Sequence, residues 1–384
     1  MPYVQYVQIP EPSGRKRRLG TGVPVPVLFV GSHARRGGSE RYLELVLASI
    51  GPEWVRHVAL LEDGPSADAL RAADHPVAVI PTGTSSRAIL SAGLQLRRVL
   101  RSLDVRVVHA NGTKAALVSV IAAAGKGTPI VWVKHDHENT ALGKIIATRC
   151  TTVVGVSGSV LTSLPRIMRP RLRVISTGTP SIAVDSARAR ATIESELFGR
   201  PTPALIGVVG RLDPGKGHEE LLTVVPELRR RHPDLRVLFV GGDVATAAGY
   251  RAVLEQRIRE LELTDAVHLL GHRADIPQIL SALDVTVLPS VSEGLPLVGL
   301  EALQAGTPIV AYATGGVPEL LGDCGVLVAP HDSQALSAAI EGLLSNARER
   351  DRLAACGRQR VREHFGLERM IEELTECYAE AALR

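Results

Sequence analysis

Short runs rich in Val, Ile and Leu, each closing on a Gly, a Pro or a polar residue and often followed by a segment of helical period, recur along this chain. No other feature limits the fold so tightly, because a strand that is apolar on both faces must be covered on both faces. The runs read as strands over 25–30, 57–61, 77–80, 105–109, 130–133, 152–156 and 173–175. Helical patterns separate many of them, notably 89–103 and 113–124. After Ser181 a polar, Ala/Arg-rich segment and Thr202-Pro203 interrupt the series, which then restarts, so the hinge linking the two halves is expected near 180–202. Strands are expected at 204–209, 236–240, 266–269, 284–288, 308–311 and 325–328, and helices at 217–231, 247–261, 276–282 and 333–344. Such alternation specifies parallel sheets with covering helices. The expected fold is α/β, with two doubly wound Rossmann-like domains, 1–180 and 181–365, facing across a cleft. A chain of 384 residues is also too long for one typical core. Amphipathic helices close the sequence, and the one near 366–384 is expected to pack back on the first domain. Ligands of such sheets bind at the C-terminal ends of the strands.

Charge narrows the partners. The net charge is only +4, yet residues 1–180 hold 23 Lys/Arg against 11 Asp/Glu, and 181–384 hold 21 against 29. A basic first half suits an anionic acceptor or a membrane surface. Its cations are not interleaved with aromatics and no nucleic-acid motif is present, so nucleic acid is not expected. Residues 1–23 read as an irregular leader; the basic stretch 15–18 is followed by Gly and Pro, unlike a secretory signal. No stretch reaches the roughly 18–20 apolar residues that a membrane span needs. Cys150, Cys324, Cys356 and Cys377 are scattered with no CxxC pair, which points to reduced thiols and the cytoplasm.

Four segments carry chemistry. The stretch 292–303, SEGLPLVGLEAL, follows a buried strand and opens a helix. Pro296 suits the first helical position. Glu293 falls in the loop and Glu301 about one turn into the helix, beside N–H groups able to seat an anion. Two carboxylates there suit hydroxyls better than phosphate, although Glu near a helix start is also ordinary dipole complementation. The turn GRLDPGKGH at 210–218 brings Arg211 and Lys216 together on a Gly/Pro-rich loop, a fork and a point charge able to converge on one pyrophosphate. It is not a P-loop, because GxxxxGK[ST] is not met. In the first half, Gly37-Gly38-Ser39-Glu40 lies between a strand and a helix, where glycines let a backbone approach a ligand. Finally, Lys134-His135-Asp136-His137-Glu138 follows the strand at 130–133. Two His at i, i+2 on an extended segment point opposite ways, which argues against a metal. His135 either hydrogen-bonds a polar ligand or serves the core.

Taken in order, these segments resemble the retaining glycosyltransferases of family 4, which have the GT-B fold. The resemblance runs from about 25 to 380 on GGSE (37–40), PIVWVKH (129–135), VGVSGSV (154–160), GRLDPGKG (210–217), LLGHRADI (269–276), EGLPLVGLEAL (293–303) and GTPIVAYATGGVPELL (306–321). It implies a nucleotide-diphosphate sugar donor, UDP- or GDP-linked, and an acceptor of unknown identity, which the basic first half suggests is anionic or lipid-linked. Arg211 and Lys216 would hold the diphosphate, Glu301 the ribose, and Glu293 the sugar, with backbone N–H groups across Gly294, Leu295, Pro296 and Leu297 nearby. Arg273 would lie in the base-contacting loop, His135 would contact the sugar, and Gly38 would approach the donor phosphate or the acceptor. No DxD motif stands where a metal would be expected, so no metal or cofactor is implied and protein cations would stabilise the leaving group. Where the family often has Asn-Gly-Val-Asp, this chain has Thr177-Gly178-Thr179-Pro180. The same fold also serves sugar-nucleotide epimerases and phosphorylase-like enzymes, and a non-catalytic nucleotide-sugar-binding protein is a third reading. The scattered cysteines and the lack of a secretory signal imply a cytoplasmic enzyme, and the basic first half suggests a peripheral place at the inner membrane face.

Overall fold

The structure, a computed structural model, describes residues 24–384 except 36, 139, 182, 245 and 246. The leader expected over 1–23, with its basic stretch, lies outside the described residues. Contacts divide the chain into two units: unit 1 takes residues up to Ile175 together with Ile371–Arg384, and unit 2 takes Ser176–Met370.

Unit 1 runs β1 (Val27–Gly31), α1 (Gly38–Ser49), β2 (Val55–Leu60), α2 (Pro65–Ala72), β3 (Val77–Val79), α3 (Ser86–Ser102), β4 (Val107–Asn111), α4 (Thr113–Ala123), β5 (Ile130–Lys134), α5 (Ala141–Arg149), β6 (Thr152–Gly155), α6 (Gly158–Leu161) and β7 (Leu172–Val174). Its seven strands pair in the order β3-β2-β1-β4-β5-β6-β7, all parallel. Strand order reverses between β1 and β4, so the loops after these strands part there and leave a crevice. The central strands β1, β4 and β5 are buried at every position, as two-sided burial requires.

Unit 2 runs α7 (Ser186–Phe198), β8 (Leu205–Val209), α8 (His218–Arg231), β9 (Arg236–Val240), α9 (Tyr250–Glu260), β10 (Val267–Gly271), α10 (Ile276–Ala282), β11 (Val285–Leu288), α11 (Leu297–Ala305), β12 (Ile309–Tyr312), α12 (Val317–Leu321), β13 (Val326–Val328), α13 (Ser333–Leu344) and α14 (Ala347–His364). The sheet order β10-β9-β8-β11-β12-β13 reverses between β8 and β11. The final helix α15 (Leu367–Ala382) begins in unit 2 and ends in unit 1, where Tyr378 is fully buried and its hydroxyl meets Nδ1 of His109 at 2.7 Å.

Three features depart from the sequence reading. The polar segment after Ser181 contains a full helix, α7: Asp185 caps it by accepting from Arg188 N at 3.0 Å, and Gly199 ends it in the left-handed conformation. Its Arg190 ties Glu194, Asp284 and the carbonyls of Thr202 and Ala282 together, so the segment is part of unit 2 and not a linker. The division of the chain falls five residues before the expected one, because Thr179 N donates to Phe365 O and Gln304 donates to Pro180 O, both within unit 2. Two of the four cysteines are joined: Cys324, just before β13, bonds Cys356 on α14. Packing of α14 on α11, with Gly357 against Leu303, brings them to a Cα separation of 5.2 Å. Four reduced thiols are therefore not what the fold contains, and the cysteine argument for the cytoplasm falls with them. Cys150 and Cys377 are free and buried. Among the described residues no helix is long and apolar enough to cross a membrane.

Candidate functional site

In unit 2 the candidate site grows from the loops that follow β8 and β11, neighbours at the reversal of strand order. After β8 the chain turns through a 3-10 segment, Pro214–Lys216, in which Asp213 Oδ1 accepts from Gly215 N at 2.9 Å. Gly217 then takes φ +71°, and a Cβ there would collide with the Pro289 carbonyl, so only glycine lets the two loops meet. Val291 N donates to Gly215 O at 3.1 Å, fixing their register. The result is an ion pair across the loops: Lys216 Nζ lies 2.6 Å from Glu293 Oε1. Glu293 is nearly buried, and its own carbonyl accepts from Gly316 N at 2.9 Å. Thr314 Oγ1 supports the same loop through Ser290 O. Arg211 stands at the mouth of the turn, exposed and without a carboxylate partner among the described residues.

Pro296 is the N-cap of α11 and not its first residue, and it has no N–H to offer. Donors in the expected stretch are thus Gly294, Leu295 and Leu297, with Val298 just beyond. Gly299 and Leu300 already donate to Pro296 O. Glu301 is half-buried on the second turn of α11 and has a polar partner of its own. Arg273 lies in the loop between β10 and α10, where its side chain is already engaged. Its guanidinium grips both oxygens of Asp275, at 2.8 and 2.7 Å, and both oxygens of Glu196 on α7. These two carboxylates push its pKa well above the usual value. The side chain is a brace between α7 and the 271–276 loop, so its donors are already engaged.

In unit 1, His135 follows β5. Its Nε2 lies 2.7 Å from Oδ1 of Asn111, whose Nδ2 donates to Ser39 O at 2.9 Å. With the amide assigned that way, Nε2 carries the proton and Nδ1 is left as an acceptor. Tyr42 meets the ring edge-on at 4.9 Å. Burial pushes the His135 pKa down to about 4, with Asp136 opposing and Lys134 adding to the shift. Lys134 is buried and gives its Nζ to Asp136 O, Asp136 Oδ1 and Glu138 O, which pins the loop after His135. Gly38 opens α1, with Glu40 buried just behind it and accepting from Ser39 Oγ. Asn111 was not singled out from the sequence; its sign was position, the last residue of β4 at the reversal of strand order.

Three histidines, His109 and His218 fully buried and His135 half-buried, make acid sensitivity a testable property. Burial lowers His109 to about 3, and His135 and His218 to about 4. Each is neutral when folded but takes a proton near its ordinary value of about 6.5 when unfolded. The unfolded state therefore binds more protons below that value, and stability present at neutral pH is lost as pH falls toward 4. His218 packs edge-on against Phe239, so His218→Phe is expected to keep the core. Unit 2 should then lose stability less steeply on acidification, by about 1.4 kcal/mol per pH unit between the two pKa values. Denaturant unfolding at a series of pH values measures it; an unchanged slope refutes it.

Against known proteins, residues 190–360 match a family model described as glycosyl transferases group 1, and 36–181 match glycosyltransferase family 4. A D-inositol 3-phosphate glycosyltransferase of Salinispora tropica is 33% identical over 205 residues, covering 51% of this chain and 42% of the relative. The chain thus spans under half the length of that relative. A glycogen synthase of Mycobacterium tuberculosis is 29% identical over 311 residues, covering 77% of this chain and 74% of the relative. Among solved structures, Anabaena HepE in complex with UDP superposes with a TM-score of 0.81 at 24% identity, covering 93% of this chain and all of that one.

Proposed function

Because the chain belongs to the glycosyltransferases of family 4, with the GT-B fold, we propose that it moves a sugar from a UDP- or GDP-linked donor to an acceptor hydroxyl with retention at the anomeric carbon. The observation that carries this reading is the Lys216–Glu293 pair at 2.6 Å, built on adjoining loops at the strand reversal of unit 2. One cation and one acid so close can divide a nucleotide sugar between them, Lys216 taking the diphosphate and Glu293 the sugar hydroxyls. Arg211 adds a second cation with free donors. Glu301 is assigned the ribose, and the N–H groups of Gly294, Leu295 and Leu297 an anionic oxygen. Nδ1 of neutral His135 is assigned a hydroxyl of the donor sugar, and the backbone at Gly38 the phosphate or the acceptor.

Negative charge grows on the diphosphate as the glycosyl bond breaks, and Arg211 and Lys216 are the cations assigned to meet it. Same-face attack lets the leaving phosphate take the acceptor's proton while the new glycosidic bond forms, which keeps the configuration. The cations do the work of a metal, so turnover is expected to survive chelation. The basic unit 1 favours an anionic or lipid-linked acceptor and peripheral contact with the inner face of a membrane.

Release of UDP or GDP from a panel of nucleotide sugars, with and without a lipid fraction, tests the activity, and UDP-sugars come first because a structural relative was crystallised with UDP. Product anomeric configuration by NMR tests retention. Glu293→Ala is expected to lower kcat/KM by at least about a hundredfold. Donor consumed without any acceptor product would instead favour an epimerase.

A further inference from the structure

We propose that the outer face of helices α3, α4 and α5, with the 3-10 segment Arg166–Arg171, docks on the surface of an anionic lipid bilayer. The reading of a membrane-side acceptor gives this surface its purpose, and the proposal rests on that reading, but the geometry stands in unit 1 alone.

These elements form one continuous layer. Helix α4 packs between α3 and α5. The ends of α3 and α4 are stitched together: Arg97 donates to the carbonyls of Ile121 and Ala122, and Lys126 to that of Leu100. Arg171 of the 3-10 segment donates to Thr148 O of α5 at 3.0 Å. On α3 the exposed residues Arg87, Leu90, Leu94, Arg98 and Arg101 recur at three- and four-residue steps and form a single stripe. On α5 the exposed stripe is Leu142, Ile145 and Arg149, with Lys144 beside it. Ile167 stands 87% exposed between Arg166 and Arg169. Half-buried Leu117, Val120 and Ile121 of α4 lie between the two helical stripes.

Two observations select the occupant. Among the described residues, five of the eight exposed large hydrophobic side chains belong to this layer: Leu90, Leu94, Leu142, Ile145 and Ile167. Each has cations for neighbours, and α3, α4, α5 and the 3-10 segment contain no Asp or Glu. Moreover, none of Arg87, Arg98, Arg101, Lys144, Arg149, Arg166 and Arg169 is paired with a carboxylate among the described residues, whereas arginines elsewhere, such as Arg35, Arg190, Arg229 and Arg273, are. A surface of unpaired cations around apolar side chains fits a medium that is anionic outside and apolar just beneath. A nucleic acid would use the cations and leave the leucines wet. A second copy of the same face would set like charges against each other.

The test is flotation of the full chain with vesicles of phosphatidylcholine, alone or mixed with phosphatidylglycerol. Wild type is expected to float with the mixed vesicles and not with phosphatidylcholine. Two exposed double variants, Leu90→Ser with Leu94→Ser and Arg98→Glu with Arg101→Glu, should each weaken binding at least about tenfold while keeping the wild-type melting temperature. The same reversals on unit 2, Arg230→Glu with Arg259→Glu, should weaken it far less. Lys216→Ala should float like wild type even where donor turnover is lost, which separates this surface from the transfer reaction. The proposal is overturned by equal binding to neutral vesicles, by no binding to mixed ones, by double variants that bind as tightly as wild type, or by vesicle-free self-association that the leucine variants abolish.

Discussion

Lys216→Ala is expected to lower kcat/KM for sugar transfer by about two to three orders of magnitude, the largest loss of activity from any single side chain discussed. The lysine meets two negative groups in turn. Before donor binds it neutralises Glu293, which is nearly buried and has the cation 2.6 Å from Oε1. On the proposed assignment the diphosphate would arrive beside that same carboxylate, and without Lys216 the two anions would repel. Alanine therefore weakens donor binding and also removes a charge that counts for more as the leaving group develops. Lys216→Arg restores the charge but not the shape, since a planar fork replaces a point charge in a turn closed by Gly217. It should recover only part of the loss. Steady-state kinetics, with donor affinity measured by calorimetry, separates the two effects. Unimpaired turnover by Lys216→Ala would remove the assignment of this loop.

The second large effect is on stability. Replacing both Cys324 and Cys356 by serine opens a loop with a sequence separation of 32. Chain entropy puts the loss at about 3–4 kcal/mol in unit 2. The bridge joins the approach to β13 with α14, and Arg360 of α14 also holds the carbonyls of Glu319 and Leu320 at 2.7 Å. These ties keep α14 on α12 when the bridge is absent, so donor affinity at low temperature should be unchanged. Denaturant titration of wild type and double variant under oxidising conditions measures the difference. Equal midpoints would show that the bridge contributes nothing, and a thiol assay on the wild type checks that it is formed.

How much of this was legible follows the range of each interaction. The central strands were visible in the sequence because burial on both faces leaves an uninterrupted apolar run, and shorter apolar runs marked the partly exposed strands such as β3 and β7. The same holds for α8, α10 and α13, whose stripes and ends are local signals. By contrast α7 reads as a polar hinge: it has few large apolar residues, and beside its packing on α10 it is held by polar ties of Arg190 to residues 4 to 94 positions away. The pairing of Lys216 with Glu293 is half legible, since spacing places each in a loop after a strand but only sheet order makes those strands neighbours. Arg273 shows the limit. A motif can mark the loop, yet whether its guanidinium is free depends on Glu196, 77 positions distant. Asn111 and the disulfide were missed for the same reason, a partner far along the chain and no local pattern.

The helix α15 imposes an order on synthesis. Unit 1 is not continuous in the chain, because Ile371–Arg384 completes it after all of unit 2 has intervened. Tyr378, Leu374 and Cys377 fill positions in its core that none of the described residues up to 175 occupies, and Glu380 reaches Arg173 on β7. When residues 24–175 leave the ribosome they therefore carry an uncovered apolar surface around Phe29 and His109, and they wait for nearly two hundred more residues. Unit 2 can close as soon as α14 and the first turn of α15 emerge. The part made first is the part finished last.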